Sequence, residues 1–260
     1  MNKLKNSTIG FLLAWQFFSA IPVKKSFEMN AKTVTWMYAF LPILGLLMGG
    51  IYATTAYGLF TYSDISPLLL AIILVVGMIV VTGGLHLDGW IDMSDAYFSY
   101  GDKEKRLAIL DDPRTGAFGV ISVMCLLLLK IGFVYEAIVQ GNLAIIPFLL
   151  CIPFLARIGV LTVFLTTETS KQTGLAAYFK GIIIKKQLAI SVVLLCVGYI
   201  VICIALADYH MVFLVVALLI GVFLYRKWIV KNFGGVSGDL LGAHCEGMEV
   251  FLWLVVLLFI

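Results

Sequence analysis

The sequence predicts an all-α fold, a polytopic bundle of about seven transmembrane helices that forms a single domain over residues 1–260. The chain is 62% hydrophobic and only 13% charged, with a mean hydropathy of +1.06. A soluble domain contains roughly 25% charged residues and about half apolar ones. The apolar residues occur in runs close to the ~20 residues that a helix needs to cross a bilayer. These runs lie at positions 34–59, 67–84, 117–139, 143–165, 187–207, 211–228 and 240–260.

The basic residues support these spans independently. All but two of the 18 Lys and Arg residues lie before the first run, in alternate connections, or at the adjoining helix ends. Membrane proteins keep such an excess in cytoplasmic loops, because basic residues resist translocation. The pattern therefore predicts a cytoplasmic N-terminus and a C-terminus on the far side. The two exceptions, Lys130 and Arg157, fall inside spans.

Residues 1–33 form a cytoplasmic or interfacial N-terminal segment in this interpretation. An apolar stretch covers residues 7–21, but a span there would place Lys24, Lys25 and Lys32 outside. We therefore expect an interfacial helix or a re-entrant segment that ends at Pro22.

Three aspartates follow the second span at helical spacing. Asp88, Asp92 and Asp95 lie at i, i+4 and i+7, within about 60° of one another on a helix. Such stacked charges repel each other unless a cation binds. Oxygen ligands favour hard cations, and Mg²⁺ commonly takes one or two carboxylates together with substrate phosphates. A solvated acidic face is the alternative, but the intervening residues are apolar, which favours a metal site.

A second acidic segment opens the last apolar run. Asp239 and Glu246 share a helical face, and Glu249 extends it by one turn. Ionisable groups near the bilayer are costly and usually functional. The helix macrodipole alone would account for Asp239 but not for Glu249. We expect the two acidic helices to form opposite walls of one metal site.

Candidate phosphate-binding residues lie between these acidic helices. Arg114 suits bidentate phosphate contact, and it follows Asp112 in a glycine-containing loop before the third span. Arg157 is predicted to face an anion in the bundle interior, because an unpaired cation is expensive there. Lys130 is similar, but it could instead be structural and paired with a carboxylate. His86 is a candidate ligand, base or phosphate donor, with a structural role as the alternative.

Taken together, these segments resemble the cobalamin synthase (adenosylcobinamide-GDP ribazoletransferase) family. The similarity extends over essentially the whole chain in five blocks that occur in family order. In the N-terminal block, Ala20 replaces the usual basic residue. The blocks are Phe17-Phe18-Ser19-Ala20-Ile21-Pro22-Val23, Leu41-Pro42-Ile43-Leu44-Gly45, Gly84-Leu85-His86-Leu87-Asp88-Gly89 with Asp92 and Asp95, Asp112-Pro113-Arg114-Thr115-Gly116-Ala117-Phe118-Gly119, and Gly234-Gly235-Val236-Ser237-Gly238-Asp239-Leu240-Leu241-Gly242-Ala243.

The resemblance implies a Mg²⁺-dependent phosphotransferase of cobalamin biosynthesis. Such an enzyme transfers the adenosylcobinamide phosphate moiety of adenosylcobinamide-GDP to α-ribazole, or to its 5′-phosphate, and releases GMP. It would lie in the cell (inner) membrane of a bacterium or archaeon, with its active site facing the cytoplasm. The expected partners are these two substrates and the lipid bilayer, and no nucleic acid. The sequence leaves open whether the chain forms a homo-oligomer.

The resemblance also implies roles for the candidate residues. The metal ligands would be Asp88, Asp92 and Asp239, with Asp95 as a ligand or the general base and His86 as an alternative catalytic group. Glu246 would be a further ligand or would support the others. Substrate or phosphate contacts are expected from Arg114, Arg157, Asp112, Gly238, Glu249 and Lys130.

Other functions fit the motifs less well. CDP-alcohol phosphotransferases of lipid synthesis use similar aspartates, but their Ala-Arg after Asp-Gly is absent here, where Trp90, Ile91 and Asp92 follow. Membrane prenyltransferases, which act on diphosphates, begin their first motif with Asn-Asp, which is also absent. A cation transporter would place acids near mid-membrane on several helices, whereas these acids gather at one face near Arg114.

Overall fold

The computed structural model describes residues 3–260 as twelve α-helices, and no strand occurs within that range. Short connections join most of the helices. The helices are α1 (Lys3–Phe18), α2 (Ala31–Ala39), α3 (Leu41–Tyr62), α4 (Pro67–Thr82), α5 (Leu85–Phe98), α6 (Lys103–Leu110), α7 (Ala117–Gly141), α8 (Ile146–Thr166), α9 (Leu175–Ile182), α10 (Lys185–Ala205), α11 (Tyr209–Phe233) and α12 (Gly238–Val256). The predicted all-α membrane bundle is confirmed.

The number of spans depends on how the helices are counted. Four stretches of the described chain are long and apolar enough to cross a membrane, and a bent pair, α4 with α5, would make five. That number is smaller than the seven predicted. One of the four stretches, Ala117–Thr166, comprises two helices, because Asn142 (φ 49°) breaks the chain between α7 and α8. The last predicted span overlaps α12. This helix is not one of the four apolar stretches, and it carries three acidic residues.

The N-terminal helix, α1, packs closely against α2. α1 begins at Lys3 and ends at Phe18, so it covers most of the predicted interfacial stretch. A Cβ on Gly10 would collide with the backbone and Cβ of Trp36 on α2. After α1, the backbone N–H of Ala20 donates to the carbonyl of Val81 (2.9 Å), which ties this segment to the end of α4.

A pair of glycines turns the chain sharply between α4 and α5. Gly83 (φ 66°) and Gly84 (φ 74°) both lie in the left-handed region, which glycine adopts without the steric cost that a Cβ imposes. The axes of the two helices differ by 93°. The fourteen-residue α5 therefore lies beyond the end of the spanning helix α4 and crosses the bundle.

Close helix packing holds the centre of the bundle together. A Cβ on Gly45 of α3 would lie 2.5 Å from the carbonyl oxygen of Pro153 on α8, and Gly49 meets the carbonyl of Leu150 in the same way. Small residues four apart allow such backbone approach between membrane helices. On the outside, α10 and α11 expose large apolar side chains such as Leu194 (65%) and Phe223 (64%), a surface suited to lipid.

Candidate active site

The two acidic helices meet in backbone contact at one end of the bundle. A Cβ on Gly89 of α5 would lie 2.5 Å from the carbonyl oxygen of Asp239 and 2.9 Å from its Cα. One turn further along α12, a Cβ on Gly242 would lie 3.2 Å from the Cα of His86. These glycines allow the two helices to approach closely, so Asp88 and Asp239 face one cavity.

The start of α12 is fixed by the loop that follows α8. Val236 donates its N–H to the carbonyl of Glu168 (2.8 Å), and Ser170 donates to the carbonyl of Val236 (2.9 Å). A Cβ on Gly235 would collide with Glu168. Ser237 then caps α12 by accepting the N–H of Leu240 (3.2 Å). The glycine-rich segment therefore positions Asp239 through backbone hydrogen bonds.

The carboxylates of Asp88, Asp92 and Asp239 share one electrostatic environment. Asp88 is exposed, whereas Asp92 and Asp239 are half-buried. Burial, and then the charges of Asp88 and Asp239, raise the pKa of Asp92 to about 6. Between residues 3 and 260, however, no three His, Cys, Asp or Glu side chains are arranged to hold a metal ion by themselves.

Asp95 anchors α5 to α7. Its two carboxylate oxygens accept the backbone N–H groups of Gly116 (2.7 Å) and Gly119 (2.8 Å), which lie at the N-terminus of α7 where such donors lack helical partners. A Cβ on either glycine would collide with the carboxylate. Asp95 is buried, with 8% of its surface exposed. This geometry makes it a positioning residue, and its predicted role as ligand or general base stays untested.

The four charged residues inside the bundle neutralise one another. Lys130 Nζ donates to Glu246 (2.9 Å) and to Glu249 (2.7 Å), and Arg157 Nη1 donates to Glu249 (2.8 Å). All four are buried, with 2–5% of their surface exposed. The predicted anionic partner of Arg157 is thus Glu249. The structure places these four residues in one ion-pair network, which agrees with the alternative prediction that Lys130 pairs with a carboxylate. The predicted contacts of these residues with metal or phosphate stay predictions.

The loop before α7 carries an exposed ion pair. Arg114 donates from Nε to Asp112 Oδ1 (2.9 Å) and from Nη2 to Asp112 Oδ2 (2.6 Å). Hydrogen bonds from Arg114 lower the pKa of Asp112 to about 2. The Arg114 side chain is 86% exposed, so it is accessible to an anionic ligand.

Two adjoining cavities, of about 160 and 170 Å³, flank Asp239. Gly238 and Asp239 line both of them, as do Leu175 and Ala176 of α9. One contains Lys171, whose ammonium group pairs with Asp111. The other is bounded by Asp88, His86 and several aromatic residues. The sequence showed Lys171 only as part of a basic loop and did not assign these aromatic residues to the site, because their proximity to Asp239 arises only from the packing of the helices.

Comparisons with known proteins identify the family to which the chain belongs. The family model for cobalamin-5-phosphate synthase matches residues 10–257. An adenosylcobinamide-GDP ribazoletransferase of Geobacillus sp. (strain WCH70) is 37% identical over 258 residues, which cover 97% of each chain. Proteins of the same name from Geobacillus thermodenitrificans (38% identical; 95% of this chain and 94% of the relative) and Clostridioides difficile (32%; 96% and 98%) also match. No solved structure matches. The chain belongs to the cobalamin-5-phosphate synthase family, as its sequence motifs predicted.

Proposed function

We propose that this protein transfers the adenosylcobinamide phosphate moiety of adenosylcobinamide-GDP to α-ribazole, or to α-ribazole 5′-phosphate, with release of GMP. The observation that carries the proposal is the meeting of Asp88 and Asp239, from two helices in backbone contact, at one cavity. Relatives that match nearly the full chain bear the name of this activity.

The reaction is a displacement at phosphorus. A ribose hydroxyl of the acceptor forms a new O–P bond to the phosphorus attached to cobinamide, and the P–O bond to GMP breaks, with its electron pair leaving on GMP. The hydroxyl must lose a proton, and the leaving phosphate must be stabilised. Asp88, Asp92 and Asp239 are the carboxylates available as the proton acceptor, since both Asp95 oxygens already accept hydrogen bonds. Lys171 lines the cavity beside Asp239 and is the cation we propose to contact the phosphates, and Arg114, whose side chain is exposed, is a second candidate.

The donor set of the site fits Mg²⁺. Asp88, Asp92 and Asp239 offer only oxygen atoms, and Mg²⁺ sites in such enzymes use one or two carboxylates completed by substrate phosphates. A preformed cluster of three ligands is therefore not required. When bound, the ion would neutralise charge on the diphosphate. Burial, and then repulsion from Asp88 and Asp239, raises the pKa of Asp92, and a cation would relieve the repulsion.

We propose that the active site faces the cytoplasm. The segments around it carry basic residues, Arg106 in α6 and Arg114 and Lys171 in loops, and such residues concentrate on the cytoplasmic side. The acids deeper in the bundle are already paired with Lys130 and Arg157, so they do not form the open acidic pathway that a cation transporter would need.

The test is GMP release by the purified protein in liposomes supplied with adenosylcobinamide-GDP, α-ribazole and Mg²⁺. Asp88→Asn and Asp239→Asn should each abolish GMP release, whereas Asp64→Asn should not. Asp64 is an exposed residue in the connection between α3 and α4, at the opposite end of the bundle. EDTA should stop the reaction and added Mg²⁺ should restore it. Absence of GMP from the unmodified protein, or full activity in Asp88→Asn, would reject the proposal.

A further inference from the structure

A closed set of three hydrogen bonds joins α5 to α7. Trp90 Nε1 donates to Ser122 Oγ (2.9 Å), the Ser122 and Ser94 hydroxyl oxygens are 2.8 Å apart, and Ser94 Oγ lies 2.7 Å from the carbonyl oxygen of Trp90. A carbonyl can only accept, and each hydroxyl has one proton to donate. One assignment satisfies all three contacts, in which Ser94 donates to the carbonyl of Trp90 and Ser122 donates to Ser94. Trp90, Ser94 and Ser122 thus form one serine network in which every proton has an acceptor.

Ser122 is the polar exception in its part of α7. From Ala117 to Leu129 it is the one residue whose side chain carries a hydroxyl, an amide or a charge. Serine and threonine hydroxyls within helices commonly donate to the carbonyl four residues earlier, as those of Thr54 and Thr162 do in α3 and α8. The Ser122 hydroxyl instead bonds to side chains of α5, so it contributes to the contact between the two helices.

The indole ring of Trp90 also lies against α12. A Cβ on Gly247 would lie 2.9 Å from Cζ3 of the indole, so the ring occupies the space that a side chain would need. Asp239 lies about two turns earlier on the same helix. Trp90 is therefore held between Ser122 of α7 and the backbone of α12, and it connects the helix of Asp92 to both of these neighbours.

Two separate contacts with α7 hold α5. One is the serine network, through Trp90 and Ser94. The other is Asp95, whose carboxylate accepts the N–H groups of Gly116 and Gly119. At about 100° per residue, Trp90 and Ser94 lie about 40° apart around the α5 axis, and Asp95 lies about 100° beyond Ser94. Contacts at two positions around the axis resist rotation of the helix, which one contact alone would allow.

We infer that Ser122 is a positioning residue for the acidic site: through the serine network it fixes the rotation of α5 and therefore the positions of Asp88 and Asp92 relative to α12. The inference rests on the proposed function and deepens it. The two aspartates lie on the opposite side of α5, about 160° around the axis from the midpoint of Trp90 and Ser94. A rotation of about 20° would move their Cα atoms, which lie about 2.3 Å from the axis, by roughly 0.8 Å. Because Mg²⁺ requires oxygen atoms at about 2.0–2.1 Å in near-octahedral geometry, such a shift would weaken binding of the proposed cation.

Removing the hydroxyl provides the test. Ser122→Ala should raise the dissociation constant of Mn²⁺, used as a spectroscopic substitute for Mg²⁺, by roughly tenfold. This constant is measured by electron paramagnetic resonance with adenosylcobinamide-GDP present and the acceptor absent, so that no turnover contributes. In the complete reaction, kcat for GMP release should fall by a similar factor, while the KM for α-ribazole should stay unchanged.

Three further variants make the test specific. Ser122→Thr keeps the hydroxyl and should restore most of the Mn²⁺ affinity and of kcat. Ser191→Ala is the matched control and should change neither quantity, because the Ser191 hydroxyl donates to the carbonyl of Gln187 within α10. If Ser122→Ala does not fold, Trp90→Phe applies the same test, since it removes the N–H and keeps an aromatic ring. The effects of Trp90→Phe and Ser122→Ala should combine to less than their sum, because both remove the same hydrogen bond.

The outcomes separate this inference from the proposed function. If the unmodified protein releases GMP and Ser122→Ala keeps its Mn²⁺ affinity and its kcat, the inference is wrong and the transferase proposal stands. If Ser122→Thr folds but does not restore the Mn²⁺ affinity, the hydroxyl of Ser122 is not the group responsible, and the inference is likewise wrong. If the unmodified protein releases no GMP, the transferase proposal fails, and the inference fails with it.

Discussion

The buried ion-pair network makes a prediction that separates a structural role from a phosphate-binding one. Glu249 accepts hydrogen bonds from both Lys130 and Arg157, at 2.7 and 2.8 Å. With Glu246, the network contains two cations and two anions. Glu249→Gln preserves the shape of the side chain but leaves one buried positive charge uncompensated. Breaking a buried pair in this way costs about 3–5 kcal/mol.

This cost should be visible as a lower melting temperature. For a chain of this size, 1 kcal/mol corresponds to about 2–4 °C, so Tm should fall by on the order of 10 °C. Thermal unfolding of the purified protein can be followed by tryptophan fluorescence, since Trp253 is fully buried. The KM for each substrate should change little in the fraction that remains folded.

A matched pair of variants tests the charge balance directly. Lys130→Met leaves Glu246 without its cation, whereas adding Glu246→Gln removes one charge of each sign and keeps the Arg157–Glu249 pair. The double variant should therefore be more stable than Lys130→Met alone. If instead Glu249→Gln keeps its Tm and raises the KM for adenosylcobinamide-GDP, the structural interpretation is wrong and Arg157 and Lys130 bind phosphate.

Three further predictions concern the acidic helix α5 and its contact with the start of α7. Gly116→Ala should lower both Tm and kcat, because its Cβ collides with the Asp95 carboxylate, whereas Gly132→Ala, with open space at its Cβ, should change neither. Equal stability of the two variants would contradict the role of Asp95. The raised pKa of Asp92, about 6, means that protons should compete with the proposed Mg²⁺ ion, so the Mg²⁺ concentration for half-maximal GMP release should rise as pH falls below about 6. The same shift makes the folded state bind more protons than the unfolded one, so stability should decrease as pH rises from about 4 to 6. Asp92→Asn should remove this decrease, and an unchanged pH profile of stability in that variant would contradict the assignment.

The sequence predicted the helices and the two acidic walls because both leave local patterns. Apolar runs of bilayer length and carboxylates at helical spacing are visible without knowing how helices pack. The structure brings Asp88 and Asp239 to one cavity, whereas Glu246 and Glu249 of the predicted second wall pair with Lys130 and Arg157 instead. The predicted number of spans was higher than the length and hydropathy of the helices support, because α4 is short and α12 contains acids.

The pairing of charges was less accessible from the sequence. Lys130, Arg157, Glu246 and Glu249 lie on three helices, and only their packing shows that they satisfy one another. The role of Asp95 was hidden for the same reason, since its partners are backbone N–H groups of α7. The glycines of the third and fifth blocks could have suggested close backbone approach, but not which segments approach each other.

The contact of Gly89 with Asp239 has a consequence for the choice of cation. Two helices whose backbones are in contact cannot approach each other further, so the distance between the Cα atoms of Asp88 and Asp239 cannot decrease. A single methyl group added at Gly89 would increase it. Side-chain rotation is then the main freedom left to these carboxylates. Mg²⁺ requires oxygen atoms at about 2.0–2.1 Å and Ca²⁺ at about 2.3–2.6 Å. For the proposed metal ion, discrimination between ionic radii would therefore depend on the missing side chain of a glycine as much as on the carboxylates that would bind the ion.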